Sequence, residues 1–114
     1  MPYINTKTTV TVTAEQEKNL KAKLGKAIET IPGKTESWLM LSFEDNARMW
    51  FRGENDAPCA MVEIKLFGKA PASAYDKMTA AVCEILSAEL SVPQDRIYVK
   101  YEECENWGYD GGNF

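Results

Sequence analysis

Residues 60–67 read Ala60-Met61-Val62-Glu63-Ile64-Lys65-Leu66-Phe67. Val62, Ile64 and Leu66 alternate with Glu63 and Lys65, the period-two signature of a strand with one buried face. Downstream, Ser73-Ala74-Tyr75-Asp76 has the form of a helix start, with Asp at the third position after the hydroxyl. Met78, Val82, Ile85, Leu86 and Leu90 then lie on one helical stripe, and Pro93 ends it. Ile97-Tyr98-Val99-Lys100-Tyr101 alternates again. The second half of the chain is therefore strand–helix–strand.

Working upstream, the first half repeats that order. Pro2-Tyr3-Ile4-Asn5 is strand-like, and Thr13-Ala14-Glu15-Gln16 forms a capping box. A helix runs from there to about Ile31, with Leu20, Leu24, Ile28 and Ile31 on one face, and Ile31-Pro32-Gly33 stops it. Trp38-Leu39-Met40-Leu41-Ser42-Phe43 reads as a buried strand, and Glu44-Asp45-Asn46 as a turn. Arg48-Met49-Trp50-Phe51-Arg52 reads as a short strand closed by Gly53, before a loop over residues 53–58. The halves superimpose in pattern: Pro2 falls near Met61, Leu20 near Met78, Leu24 near Val82, Ile28 near Leu86, and Pro32 near Pro93.

The expected architecture is an α+β two-layer fold over a single domain, residues 1–114. Two pseudo-repeated β-α-β units, each a right-handed crossover, form one four-stranded mixed sheet with both helices on one face. Trp38, Met40, Phe67, Tyr98 and Tyr101 are expected on the other face. Self-association is the natural cover for such groups. The strand near Trp50 and the aromatic tail Trp107–Phe114 are the candidate extra strands at subunit interfaces.

Composition narrows the function. The chain has 114 residues and a net charge of −4, which argues against general binding of nucleic acid or anionic membranes. No apolar run is long enough for a membrane helix, and no basic-then-apolar leader opens the chain. The cytoplasm is the expected compartment, with export by a route without a signal peptide left open. Cys59, Cys83 and Cys104 contain no C-x-x-C pair, so neither a disulfide framework nor a zinc site is expected. Cys83 falls on the helical stripe and is assigned to the core.

The chain has no histidine. Proton transfer at neutral pH must then fall to a perturbed carboxylate, lysine, cysteine or the amino terminus. The chain begins Met1-Pro2, and a methionine before a small residue is normally trimmed, which would leave a free secondary amine on Pro2. An α-amino group titrates near ~7.7–8.0, far below a lysine, so a modest downward shift makes it a usable base.

These residues resemble the macrophage migration inhibitory factor branch of the tautomerase superfamily over essentially the whole chain. The likeness rests on Pro2, Gly33-Lys34, Ala57-Pro58-Cys59-Ala60, Phe67-Gly68-Lys69, Asp95-Arg96-Ile97-Tyr98-Val99, and Gly108-Tyr109 with the terminal Phe114. The resemblance implies a homotrimer of β-α-β-β-α-β subunits around a central channel, with an active site at each subunit interface. It implies keto–enol tautomerisation of phenylpyruvate-like acids, without cofactor or metal, and with the N-terminal proline as base. By position, Pro2 matches the base and Lys34 the lysine that binds the substrate's carboxylate or carbonyl oxygen. Phe67 takes a pocket isoleucine's place, where the backbone N–H helps hold an oxygen. Trp38 replaces a rim aromatic, and Tyr98 matches a tyrosine from the neighbouring subunit. Tyr109 stands where a tryptophan is common, and Phe114 matches a phenylalanine of the lining.

Lys100 departs from the pattern, standing where an asparagine is common. It is either a second pocket cation, favouring diacids, or a solvated strand residue. Val62 stands where a second cysteine would complete a C-x-x-C, so a thiol–disulfide activity has no residue basis. The alternative function is a cytokine-like signal molecule that binds a protein receptor, with residual or no turnover. Hydration, dehalogenation or decarboxylation ranks last, because Arg48, Arg52 and Arg96 are the only arginines and none falls at a pocket position.

Overall fold

The computed structural model describes residues 1–114. Strand β1 (Pro2–Thr8) leads into helix α1 (Ala14–Ala27) and a 3₁₀ turn, then strand β2 (Met40–Glu44). Strand β3 (Ala60–Phe67), helix α2 (Ala72–Leu90) and strand β4 (Ile97–Cys104) repeat the order. A two-stranded tail hairpin, β5 (Gly108–Tyr109) with β6 (Gly112–Asn113), ends the chain.

The four main strands form one mixed sheet in the order β2-β1-β3-β4. Within each unit the strands are parallel, β1 with β2 and β3 with β4. The two units meet antiparallel through β1 and β3, where Ile4 faces Ile64. The sheet is therefore a pseudo-two-fold pair of β-α-β units, with the repeat seen in the sequence.

The helix-facing side of the sheet is apolar and sealed. Ile4, Val62, Ile64 and Leu66 pack against Leu20, Leu24 and Ile28 of the first helical segment and Met78, Val82 and Leu86 of α2, all essentially without solvent contact. Period-two alternation directs every second strand residue into this layer. Thr13 caps α1 as the sequence predicts, with its hydroxyl accepting from the Gln16 N–H and the Gln16 side chain accepting from the Thr13 N–H.

Several expectations are corrected. β2 begins at Met40, and Trp38 lies in a 3₁₀ turn over Glu36–Trp38 before it. β2 is also an edge strand, half-exposed rather than buried. The segment 48–52 forms no strand; a single bridge joins Phe51 to Glu54. Helix α2 starts at Ala72 after Pro71, and no side chain caps it. Cys83 packs against the core as assigned, but half-buried at its margin rather than sealed inside, and burial pushes its thiol upward.

The open face differs most from expectation. Its cross-strand rows run Glu44–Lys7–Met61–Tyr98, Ser42–Asn5–Glu63–Lys100, and Met40–Tyr3–Lys65–Glu102. Met40 and Tyr98 lie on this face as expected, but among charged and polar neighbours (Glu44, Lys7, Ser42, Asn5, Glu63, Lys100, Lys65 and Glu102) rather than in an aromatic plate. Tyr101 is on the helix side, where its hydroxyl donates to the Tyr75 carbonyl at 2.9 Å and meets Thr79 Oγ1 at 2.8 Å. Three positions separate it from Tyr98, so the pleat sends the two rings to opposite faces. No helix is long and apolar enough to cross a membrane.

Candidate active site

One end of the sheet gathers the start of β1, the start of β2 and the ends of β3 and β4. Pro2 pairs with Leu66 there, Tyr3 with Met40, and Leu66 with Glu103. A cavity of about 560 Å³ opens at this end, lined by Met1, Pro2, Trp38, Met40, Trp107 and Tyr109 among others. That size suits a small organic ligand.

Lys34 reaches this end because of the turn that precedes it. Pro32 and Gly33 occupy the central positions of a turn closed by the Lys34 N–H on the Ile31 carbonyl at 3.1 Å. Gly33 has φ +79°, the left-handed conformation a type II turn demands after proline. The half-buried Lys34 side chain then crosses to the end of β3, where Nζ donates to the Phe67 carbonyl at 2.8 Å. The Phe67 N–H donates to the Met1 carbonyl at 3.1 Å. Lys34, the Phe67 backbone and the head of the chain thus form one polar cluster against an apolar wall.

The electrostatics at that head are unusual. The α-amino group is held below its ordinary 8.0, first by burial and then by the charge and hydrogen bonding of the Lys34 ammonium. Both causes act against the charged form. In this chain the free amine is on Met1, and the Pro2 nitrogen is an amide.

The wall is built by the tail. Asp110 (φ 50°) and Gly111 (φ 85°) make the two-residue turn of the β5–β6 hairpin, the primed type that matches strand twist. The hairpin brings Tyr109 edge-on to Trp38, with centroids 5.1 Å apart at 83°. Phe114 sits 6.3 Å from Trp38, stacks on Tyr109 at 5.9 Å, and reaches Phe67 at 5.8 Å. Pro2, Trp38 and Tyr109 line the cavity; Lys34 and Phe67 meet beside its head at the end of β3, and Phe114 packs on Trp38, Tyr109 and Phe67 without lining it. Trp107 and Met40 also line the cavity, though neither was named as a site residue from the sequence. The aromatic tail was the available signal for Trp107.

Tyr98 and Lys100 lie elsewhere. Tyr98 pairs with Met61, five residues from the Leu66 that faces Pro2, a separation of about 17 Å along the strand. It is 61% exposed. Lys100 is on the same open face, beside Glu63, and Nζ bonds Glu102 at 3.3 Å. Within a single protomer neither reaches the cavity.

A two-layer α+β chain with a doubled β-α-β unit, a proline at the head of a central strand and an aromatic cavity around that head has the architecture that the family resemblance implies. Comparison with known proteins agrees. The sequence model of the macrophage migration inhibitory factor family matches residues 1–114, and the chain belongs to that family. Its fold is similar to that of the macrophage migration inhibitory factor 2 of Leishmania major, with a TM-score of 0.92 and 31% identity, covering 100% of this chain and 97% of that one. The homologue from Prochlorococcus marinus has a TM-score of 0.88 and 30% identity over 98% of each chain. The macrophage migration inhibitory factor of Xenopus laevis is 27% identical over 97 residues, 83% of this chain and 84% of that protein.

Proposed function

We propose that the mature protein is a keto–enol tautomerase of phenylpyruvate-like α-keto acids, with Pro2 as general base. The observation that carries this reading is the depressed amino terminus beside Lys34 in an aromatic-lined cavity. Trimming of Met1 would transfer the free amine to Pro2, still next to Lys34 and the Phe67 backbone. A neutral secondary amine there removes a proton α to the substrate's carbonyl. The carbon–hydrogen pair becomes the enol double bond, and negative charge builds on the carbonyl oxygen. The proton is returned to that oxygen to give the enol, and the reverse path gives the keto acid.

Lys34 and the Phe67 N–H are the groups that hold the developing charge and the carboxylate, the preorganised stabilisation such a step needs. Trp38, Tyr109 and Phe114 supply an apolar slot for an aromatic ring. Tyr98 enters from a neighbouring protomer, as a hydrogen-bond donor to the substrate. Trp50, Met40 and Tyr98 remain mostly in solvent in one protomer, which favours association. A homotrimer with interfacial sites is the proposed assembly.

The test is ketonisation of phenylpyruvate enol by protein whose intact mass lacks Met1. Pro2→Gly should lose about a hundredfold in kcat/KM, the scale of a positioned proton-transfer group. Equal rates would reject the proposal.

A further inference from the structure

Arg96 is buried, yet its guanidinium is paired with no carboxylate. Nε donates to the Pro58 carbonyl at 3.0 Å, Nη2 to Ala57 at 3.1 Å and Glu54 at 3.5 Å, and Nη1 to Phe51 at 3.4 Å. A buried cation is tolerated only when its donors are met. Here a loop distant in sequence folds its carbonyls around one planar fork. The loop's first turn is tight: Phe51 and Glu54 exchange hydrogen bonds of 2.9 and 3.0 Å. Arg52 (φ 54°) and Gly53 (φ 76°) sit between them.

That turn fixes Phe51. Two guanidinium groups lie beside its ring, Arg52 at 5.2 Å and Arg96 at 5.4 Å from the centroid. Phe51 in turn meets Tyr98 edge to face, with centroids 5.0 Å apart at 86°. Phe51 is the one aromatic ring on Tyr98, whose side chain otherwise stands in solvent. Such a pair selects one of the staggered orientations open to an exposed tyrosine.

We infer that Arg96 and Phe51 are positioning residues: through the 51–54 turn they fix the ring of Tyr98 at the angle at which it enters the neighbouring protomer's cavity. This rests on the tautomerase reading above. Neither residue touches the substrate, and their effect passes through the Tyr98 hydroxyl.

The experiment is a double-mutant cycle in the phenylpyruvate assay, with Met1-free protein, checked for assembly by sedimentation. Phe51→Leu should lower kcat/KM about tenfold, mostly in kcat, because a small misplacement of an oriented group is costly. Phe51→Tyr, which keeps the ring, should restore near-normal turnover. In a Tyr98→Phe background, Phe51→Leu should cost nothing further, since the hydroxyl it aims is gone. Arg96→Lys keeps the charge but loses the fork, and should reproduce the Phe51→Leu pattern; it carries the cycle if Phe51→Leu does not fold. An equal loss in both backgrounds, with active wild type, would overturn the inference and leave the proline chemistry standing. A fully active Tyr98→Phe with active wild type would likewise overturn the inference and leave the proline chemistry standing, whereas an inactive wild type would overturn the reading beneath it and the inference with it.

Discussion

The two ends of the sheet are built on opposite principles. At the Pro2 end, Trp38, Trp107 and Tyr109 wall an open cavity with Lys34 beside its head, and about half the surface of Trp38, Tyr109 and Phe114 is left uncovered. At the Tyr98 end there is no cavity of note; a single ring projects outward from a turn locked by a buried arginine. Under the proposed function, one end is a receptacle without its last polar group, and the other is a polar group without a receptacle. Two complementary, incomplete ends on one chain are what a cyclic assembly can join head to tail, each protomer completing the next.

The largest effect should come from blocking the receptacle's base. Protein made with methionine aminopeptidase inhibited would retain Met1, whose carbonyl occupies the Phe67 N–H and whose side chain lines the cavity. The Pro2 nitrogen would then be an amide without basicity. Turnover of phenylpyruvate enol should fall at least a hundredfold, as for removal of a general base. Intact-mass analysis of each sample checks that the loss follows the retained methionine.

Removing the lysine is a smaller insult to the same end. In the proposed mechanism Lys34→Ala deletes the oxygen-binding cation, and with it the neighbouring charge and hydrogen bond that, after burial, hold the Met1 amine down and that would act in the same way on the Pro2 amine once Met1 is removed. The amine's pKa should therefore rise. Because the base must be neutral to act, the ascending limb of kcat/KM against pH should move to higher pH, with about a tenfold loss at neutral pH. An unmoved limb would mean that burial alone sets the amine.

The sequence made the two faces of the sheet unequally legible. The helix-facing layer could be read because Val62, Ile64 and Leu66 alternate with charges and the stripes at Leu20–Leu24–Ile28 and Met78–Val82–Leu86 repeat at helical spacing. The open face could be read only in part: Met40 and Tyr98 fall there, but Trp38 and Tyr101 do not, because large side chains were counted by size rather than by pleat parity. Trp38 proved to sit in a turn, and Tyr101 to face α2. Pro2, Lys34 and the aromatic tail were visible through the family resemblance. The Arg96 clamp was not, since its partners are backbone carbonyls some forty residues upstream, and a carbonyl leaves no mark in composition.

The sharpest test of the two-ended design produces the smallest signal. Suppose each working cavity takes its base from one protomer and its tyrosine from the next. Pro2→Gly and Tyr98→Ala chains would each be crippled alone. Unfolded together in equal amounts and refolded, they would form mixed rings. A cavity is intact only when its own protomer carries Tyr98→Ala, with Pro2 whole, and the donating neighbour carries Pro2→Gly, with Tyr98 whole. Random assembly gives that arrangement at about one site in four. Activity should therefore recover to about a quarter of wild type, well above either parent, while mixing without unfolding should recover nothing. If the ends belonged to separate functions, or if Tyr98 served its own protomer, every mixed ring would contain only defective sites. The refolded mixture would then stay at the mean of its parents.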